Sequence, residues 1–156
     1  MVLTIFTIVH VIISLLGIAS GFVVMADMID AAPIDGWTPF FLATTIATSV
    51  TGFLFPFERL LPSHVFGIVS LVVLGLATYG LYGAHLVGSW SWIYVATAVF
   101  AQYLNFFVLI VQLFQKVPAL RAHAPTQTET PFKVAQAVAL VAFIAAGVVA
   151  GMRFPG

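Results

Sequence analysis

The chain has 156 residues, of which 62% are hydrophobic and 6% are charged, and its mean hydropathy is +1.17. Soluble domains carry roughly 25% charged residues, so this composition excludes a water-soluble globular protein and indicates a protein embedded in lipid. The formal net charge is zero and cysteine is absent, which excludes a basic nucleic-acid-binding surface, disulfides and thiolate metal sites.

Five apolar segments follow one another along the chain, and each has about the 20 residues that a helix needs to cross a bilayer. The first begins MVLTIFTIVH, which lacks the positive charges of a signal peptide, so we expect it to be retained as a membrane span. Short polar breaks such as DAAPIDGWTP and VGSWS separate the segments. The sequence predicts one all-α transmembrane domain over residues 1–156, a five-helix bundle with helices at about 2–28, 39–57, 64–87, 91–117 and 131–154.

The basic residues are divided unequally between the two ends of this predicted bundle. Four of the five lie at the end that carries the N-terminus: Arg59, Lys116, Arg121 and Lys133. All three tryptophans lie at the opposite end, as an interfacial belt requires: Trp37, Trp90 and Trp92. Basic residues favour the cytoplasmic side, so we predict a cytoplasmic N-terminus and an external C-terminus in the inner (plasma) membrane.

Small and polar residues fall on one face of each predicted helix, where helices contact each other in a membrane. In the second helix the serine and threonine hydroxyls share one face. The opposite face is predicted to contact lipid: Ala43, Ile46, Val50 and Leu54. In the third helix one face is predicted to point inward: His64, Gly67, Leu71, Gly75, Thr78, Tyr82 and His85.

Two G-x-x-x-G motifs, Gly17/Gly21 in the first helix and Gly147/Gly151 in the fifth, allow two helix backbones to approach closely. The motif is common by chance in glycine-rich spans, and the contact is either within the chain or between chains. These faces are therefore also the predicted surfaces for a homo-oligomer or for a larger membrane complex.

His10 lies roughly 10–12 Å inside the membrane at 1.5 Å per residue. An ionisable side chain at that depth indicates either a functional group or a neutral ring that hydrogen-bonds within the bundle. Inward-facing hydroxyls and amides accompany it, and either they line a ligand site or they only hold helices together. The predicted ligand-binding set is His10, Ser14, Thr44, Thr48, Thr51, Gln102 and Asn105.

A cofactor is an alternative at the same histidine. Haem b held by His10 and His64 would need the two rings at similar depth, and His64 falls at the cytoplasmic mouth of its predicted helix. The cofactor is otherwise unknown from the sequence, and no metal site is predicted.

Three functions remain open after this reading. The first is a non-enzymatic protein whose polar interior binds or passes a small ligand. The second is an electron-transfer protein with haem b or a quinone at His10. The third is an accessory subunit of a larger membrane complex. No catalytic residues are predicted, because the spans lack a buried carboxylate, and no P-loop or H-E-x-x-H motif is present.

Overall fold

A computed structural model describes residues 2–30, 36–53, 62–124, 126 and 129–154, apart from the side chains of residues 2, 3, 62–64, 115 and 116. The described chain is all-helical, as predicted. A π-helical turn, Tyr79–Gly83, continues the third helix. The six α-helices are α1 (Val2–Ile29), α2 (Trp37–Phe53), α3 (Pro62–Thr78), α4 (Trp90–Lys116), α5 (Pro118–His123) and α6 (Thr130–Arg153).

Four of these helices are long and apolar enough to cross a membrane: α1, α3 with its π-helical turn, α4 and α6. The chain is therefore a multi-pass integral membrane protein. The described part of α2 has 17 residues, and residues 54–57 of the predicted second span lie outside the described part of the chain.

Consecutive long helices run in alternating directions through the bundle. Thr51, near the end of α2, contacts His10, near the start of α1, whereas Thr45 contacts Gly17 further along α1. The same reversal holds between α2 and α3, because Ser49 bonds to Ser70 while the later residue Phe53 packs on the earlier Gly67. The α2 helix thus runs back along the bundle between α1 and α3.

The last helix returns to the end of the bundle where α1 ends. The Nε–H group of Arg153, at the end of α6, donates a hydrogen bond to the carbonyl oxygen of Ile29, at the end of α1. The ring of Phe154 lies 5.8 Å from that of Tyr94, near the start of α4. Trp37 and Trp90 begin α2 and α4 at this same end, which we call the tryptophan end.

The main core lies between α1, α2, α3, α4 and α6, and the outer surface is apolar. Its largest fully buried apolar side chains are Tyr94, Phe41, Met28 and Leu74. Outward-facing aliphatic side chains cover the exterior, among them Val138 and Val141 of α6, which are 64% and 66% exposed. Such a surface is stable only against lipid hydrocarbon.

The third helix departs from prediction at its end and on its inward face. It was predicted to continue to Val87, but the helical path ends at Gly83 because His85 and Leu86 take left-handed backbone angles, φ 54° and 59°. The amide of Leu86 then bonds to the carbonyl of Gly80 across the reversed chain.

The predicted inward face of this helix is wrong at three of its positions. Gly75, Tyr82 and His85 are exposed. The residues that pack inward are instead Ser70, Val73, Leu74, Ala77 and Leu81. The sequence pattern followed the small and polar residues, whereas aliphatic packing sets this face in the folded chain.

The α4–α6 connection contains a short helix where a loop was predicted. Pro118 begins α5 with a fixed backbone angle that suits the first turn of a helix. Leu120 and the fully buried Ala124 pack in a small cluster with Phe114 and Phe132. The cluster holds α5 against the end of α4 and the start of α6.

Candidate functional site

Helices α1, α2 and α4 meet at the first G-x-x-x-G motif, at a place we call the α1–α2–α4 junction: Gly17, Ile18, Gly21, Thr45 and Gln102. Gly17 lies near the middle of α1, about 20 Å from either end at 1.5 Å per residue. Both glycines are buried. The junction therefore lies close to the midplane of the membrane.

Gln102 is fully buried at this junction and reaches from α4 to the backbone of α1. Its Nε2 group donates a 2.7 Å hydrogen bond to the carbonyl oxygen of Ile18. A Cβ atom on Gly21 would lie 2.0 Å from Gln102 Oε1, and one on Gly17 would lie 3.3 Å from the Oγ1 atoms of Thr44 and Thr45. The first G-x-x-x-G motif is thus a contact within the chain, and the amide of Gln102 occupies the space at Gly21.

His10 contacts α2 closer to the other end of the bundle. Its Nδ1 atom lies 2.7 Å from Thr51 Oγ1. The Thr51 hydroxyl has one hydrogen. Its Oγ1 atom lies 2.7 Å from the carbonyl oxygen of Ala47. Both contacts are hydrogen bonds when Thr51 donates to Ala47 and accepts from His10, which requires a proton on His10 Nδ1. In the neutral ring the lone pair is then on Nε2.

The predicted lining hydroxyls donate to their own helix backbones. Ser14 bonds to the carbonyl of His10 at 2.7 Å, Thr44 to that of Phe40 at 2.8 Å, and Thr48 to that of Thr44 at 2.8 Å. This is the usual way in which hydroxyls are satisfied in membrane helices. Each hydroxyl thereby donates its single hydrogen within its own helix, so it can only accept a hydrogen bond from another group.

Several buried polar atoms have no such partner. Within the described part of the chain, Gln102 Oε1, Thr45 Oγ1 and Asn105 Nδ2 have no hydrogen-bond partner. The same is true of Thr78 Oγ1 and of Gln136 Oε1. Each such buried atom costs roughly 1–3 kcal/mol. Two hydroxyl oxygens and three amide atoms of the described interior therefore still require a partner.

The structure divides the predicted site residues into groups. Gln102 and the first glycine pair meet at the junction, and His10 meets Thr51. Thr45 and Ser49 are buried more completely than the predicted lining residues Thr44 and Thr48, although they stand in the neighbouring row of the same helix. The side chain of His64 lies outside the described residues, so its pairing with His10 stays a prediction.

A second feature, which the sequence did not indicate, is an apolar groove between α4 and α6. It has a volume of about 450 Å³, and its lining includes Trp92, Val99, Tyr103, Phe143, Gly147 and Gly151. A Cβ atom on Gly147 would lie 3.3 Å from Val99, whereas Gly151 is exposed and has open space around its Cβ position. The second G-x-x-x-G motif therefore borders an opening on the lipid side of the bundle.

Comparison with known proteins gave no match: no family model, no curated protein and no solved structure is significantly similar to this chain. The function must accordingly be argued from the contacts described above.

Proposed function

We propose that this chain is a non-enzymatic membrane protein with five spans, whose polar interior binds a small uncharged ligand through its buried amides. The supporting observation is the set of unpartnered amide atoms, Gln102 Oε1 and Asn105 Nδ2, in the interior of α4. A polar atom without a partner is expensive inside a bilayer, where water does not compensate it. Gln102 Oε1 requires a donor and Asn105 Nδ2 requires an acceptor, so a bound molecule with either group would satisfy one of them.

The chemistry of the surrounding side chains favours a neutral ligand. The described residues near the junction are hydroxyl, amide, glycine and aliphatic groups, and charged side chains such as Asp27, Lys133 and Arg153 lie towards the helix ends. An ion bound at this depth would meet no opposite charge, and its desolvation would be very costly. An alcohol, a carbonyl compound or an amide fits the donors and acceptors present.

Asn105→Leu tests the ligand directly, because leucine has similar size and removes the amide. We expect the purified wild-type protein to carry about one small polar molecule per chain, detected by mass spectrometry of a solvent extract. The variant should carry less than about a tenth of that amount, since losing a hydrogen-bonding partner of a buried group costs roughly 1–3 kcal/mol.

Gln112→Leu is the matched control, because Gln112 is an exposed amide on the same helix. It should keep the wild-type content of the molecule. If the wild-type extract contains no such molecule, or if Asn105→Leu retains it in full, the amides only join helices and the proposal is wrong.

The proposed topology has the N-terminus in the cytoplasm, with α2 as the fifth span. The unequal division of basic residues supports the orientation, and the course of α2 between α1 and α3 supports the additional span. The absence of cysteine allows a clean labelling test. Ser89→Cys should react with a membrane-impermeant maleimide in intact cells, and His123→Cys only after permeabilisation. The opposite pattern would invert the topology.

Electron transfer with haem b or a quinone at His10 is the second candidate. The 2.7 Å contact between His10 Nδ1 and Thr51 Oγ1 supports it, because a metal-ligating histidine donates its other ring N–H to an oxygen acceptor and Thr51 can be that acceptor. A visible absorption spectrum with a Soret band that disappears in His10→Ala would establish haem. A colourless preparation would exclude haem, and analysis of the same solvent extract for quinone would decide the remaining case.

A further inference from the structure

The apolar groove between α4 and α6 has the length of one leaflet of a membrane. Along α4 its lining runs from Trp92 to Tyr103, a rise of about 16 Å at 1.5 Å per residue. Half of a bilayer core is about 15 Å thick. Trp92, which is 60% exposed, lies at the tryptophan end of the groove, so the groove extends from one interface towards the midplane.

The volume of the groove fits a single hydrocarbon chain. The groove has a volume of about 450 Å³ and is lined almost wholly by apolar side chains, which suits a hydrocarbon chain. A helix with its side chains is about 10–12 Å wide, so the same length of helix fills on the order of 1,500 Å³. The groove therefore cannot accommodate a whole helix, and a second copy could place only side chains in it.

We infer that this groove binds one acyl chain of a phospholipid from the leaflet at the tryptophan end. The indole N–H of Trp92 lies where it can donate to the ester or phosphate oxygens of the headgroup region, as interfacial tryptophans do. The acyl chain would lie between Val99 and Phe143 and over Gly151, where the lack of a side chain leaves the space open. This site is separate from the buried amides and does not depend on the proposed ligand.

Gly151→Leu tests the site by filling it. The experiment uses purified protein in detergent with a phosphatidylcholine that carries a diazirine at the middle of one acyl chain. After illumination, we expect cross-links on the peptides that contain residues 95–103 and 140–151. Leucine at position 151 should reduce these cross-links about tenfold, equivalent to about 1.4 kcal/mol, because it displaces several methylenes of the chain.

Gly75→Leu is the control, because Gly75 is also an exposed helical glycine with no atom within 4 Å of its Cβ position, but it lies on α3 outside the groove. It should leave the cross-links unchanged. Ala96→Leu fills the groove from the α4 side and should reproduce the loss if Gly151→Leu does not fold.

Three results would overturn the inference. Cross-links spread evenly over all outer faces would indicate ordinary lipid contact. Cross-links that persist in both Gly151→Leu and Ala96→Leu would mean that the acyl chain binds outside the groove. A dimer detected by native mass spectrometry that is lost in Gly151→Leu would identify the groove as a contact between two copies.

Discussion

The two G-x-x-x-G motifs of this chain have the same spacing but different environments. Gly17 and Gly21 are buried against α2 and α4, where hydroxyl and amide groups occupy the space that a side chain would take. Among the described residues, a Cβ atom on Gly147 would meet only Val99 within 4 Å, and one on Gly151 would face open space. The contact is therefore determined by what the neighbouring helix offers: polar side chains of matching length close the first motif, whereas aliphatic ones leave the second partly open.

The largest effect should follow from Gly21→Ala, which tests the closed motif. The added methyl group would lie 2.0 Å from Gln102 Oε1, so the amide must move and its bond to Ile18 is lost. Overpacking of this kind costs about 1–3 kcal/mol. Reversible unfolding in mixed detergent micelles measures the change.

The double variant Gly21→Ala/Gln102→Ala shows whether Gln102 is the obstacle. We expect the two changes to be strongly non-additive, because the second removes the group with which the first collides. Additive losses would mean that another part of α1 causes the destabilisation.

The same substitution in the open motif should have the opposite sign. Gly151→Ala adds a methyl group in open space and removes the backbone freedom of glycine, so the helix should gain up to about 1 kcal/mol. The same unfolding assay applies, and Gly75→Ala provides a second open site for comparison. A loss of stability in Gly151→Ala would show that a partner covers this face in the membrane.

Thr51→Val should have the smallest effect. It removes the acceptor for His10 Nδ1 while preserving the shape of the side chain, and interhelical hydrogen bonds in membranes contribute about 0.6 kcal/mol on average. Thr48→Val is the matched control, because its hydroxyl donates within its own helix. Equal stability of the two variants would mean that the His10–Thr51 bond adds nothing to the bundle.

The fold could be predicted largely from composition and helix length. Four long apolar helices lie where the sequence indicated them, and the ends of α1, α4 and α6 agree within one residue. The end of α3 could not be predicted, because nothing in the local sequence marks His85 and Leu86 as left-handed. The prediction of the inward face of α3 was wrong for a related reason. In lipid, hydrophobicity does not distinguish the buried face of a helix from the exposed one.

Several residues of the candidate site could be predicted from the sequence, but the contacts between them could not. His10, Gln102 and the first glycine pair could be identified because polar and small residues are rare in such spans. That Gln102 fills the space at Gly21 depends on the relative rotation of two helices, which no sequence period specifies. The groove at Gly151 depends likewise on the spacing between α4 and α6.

The bond from Gln102 to Ile18 joins residues 84 positions apart in the chain, which has a consequence for how the protein is made. Helices enter the membrane in order of synthesis, so α1 is inserted well before α4 leaves the ribosome. When α4 is inserted, the acceptor of the Gln102 amide, the carbonyl of Ile18, is therefore already in the membrane. A chain truncated before α4 should therefore reach the membrane but remain a substrate for quality-control proteases.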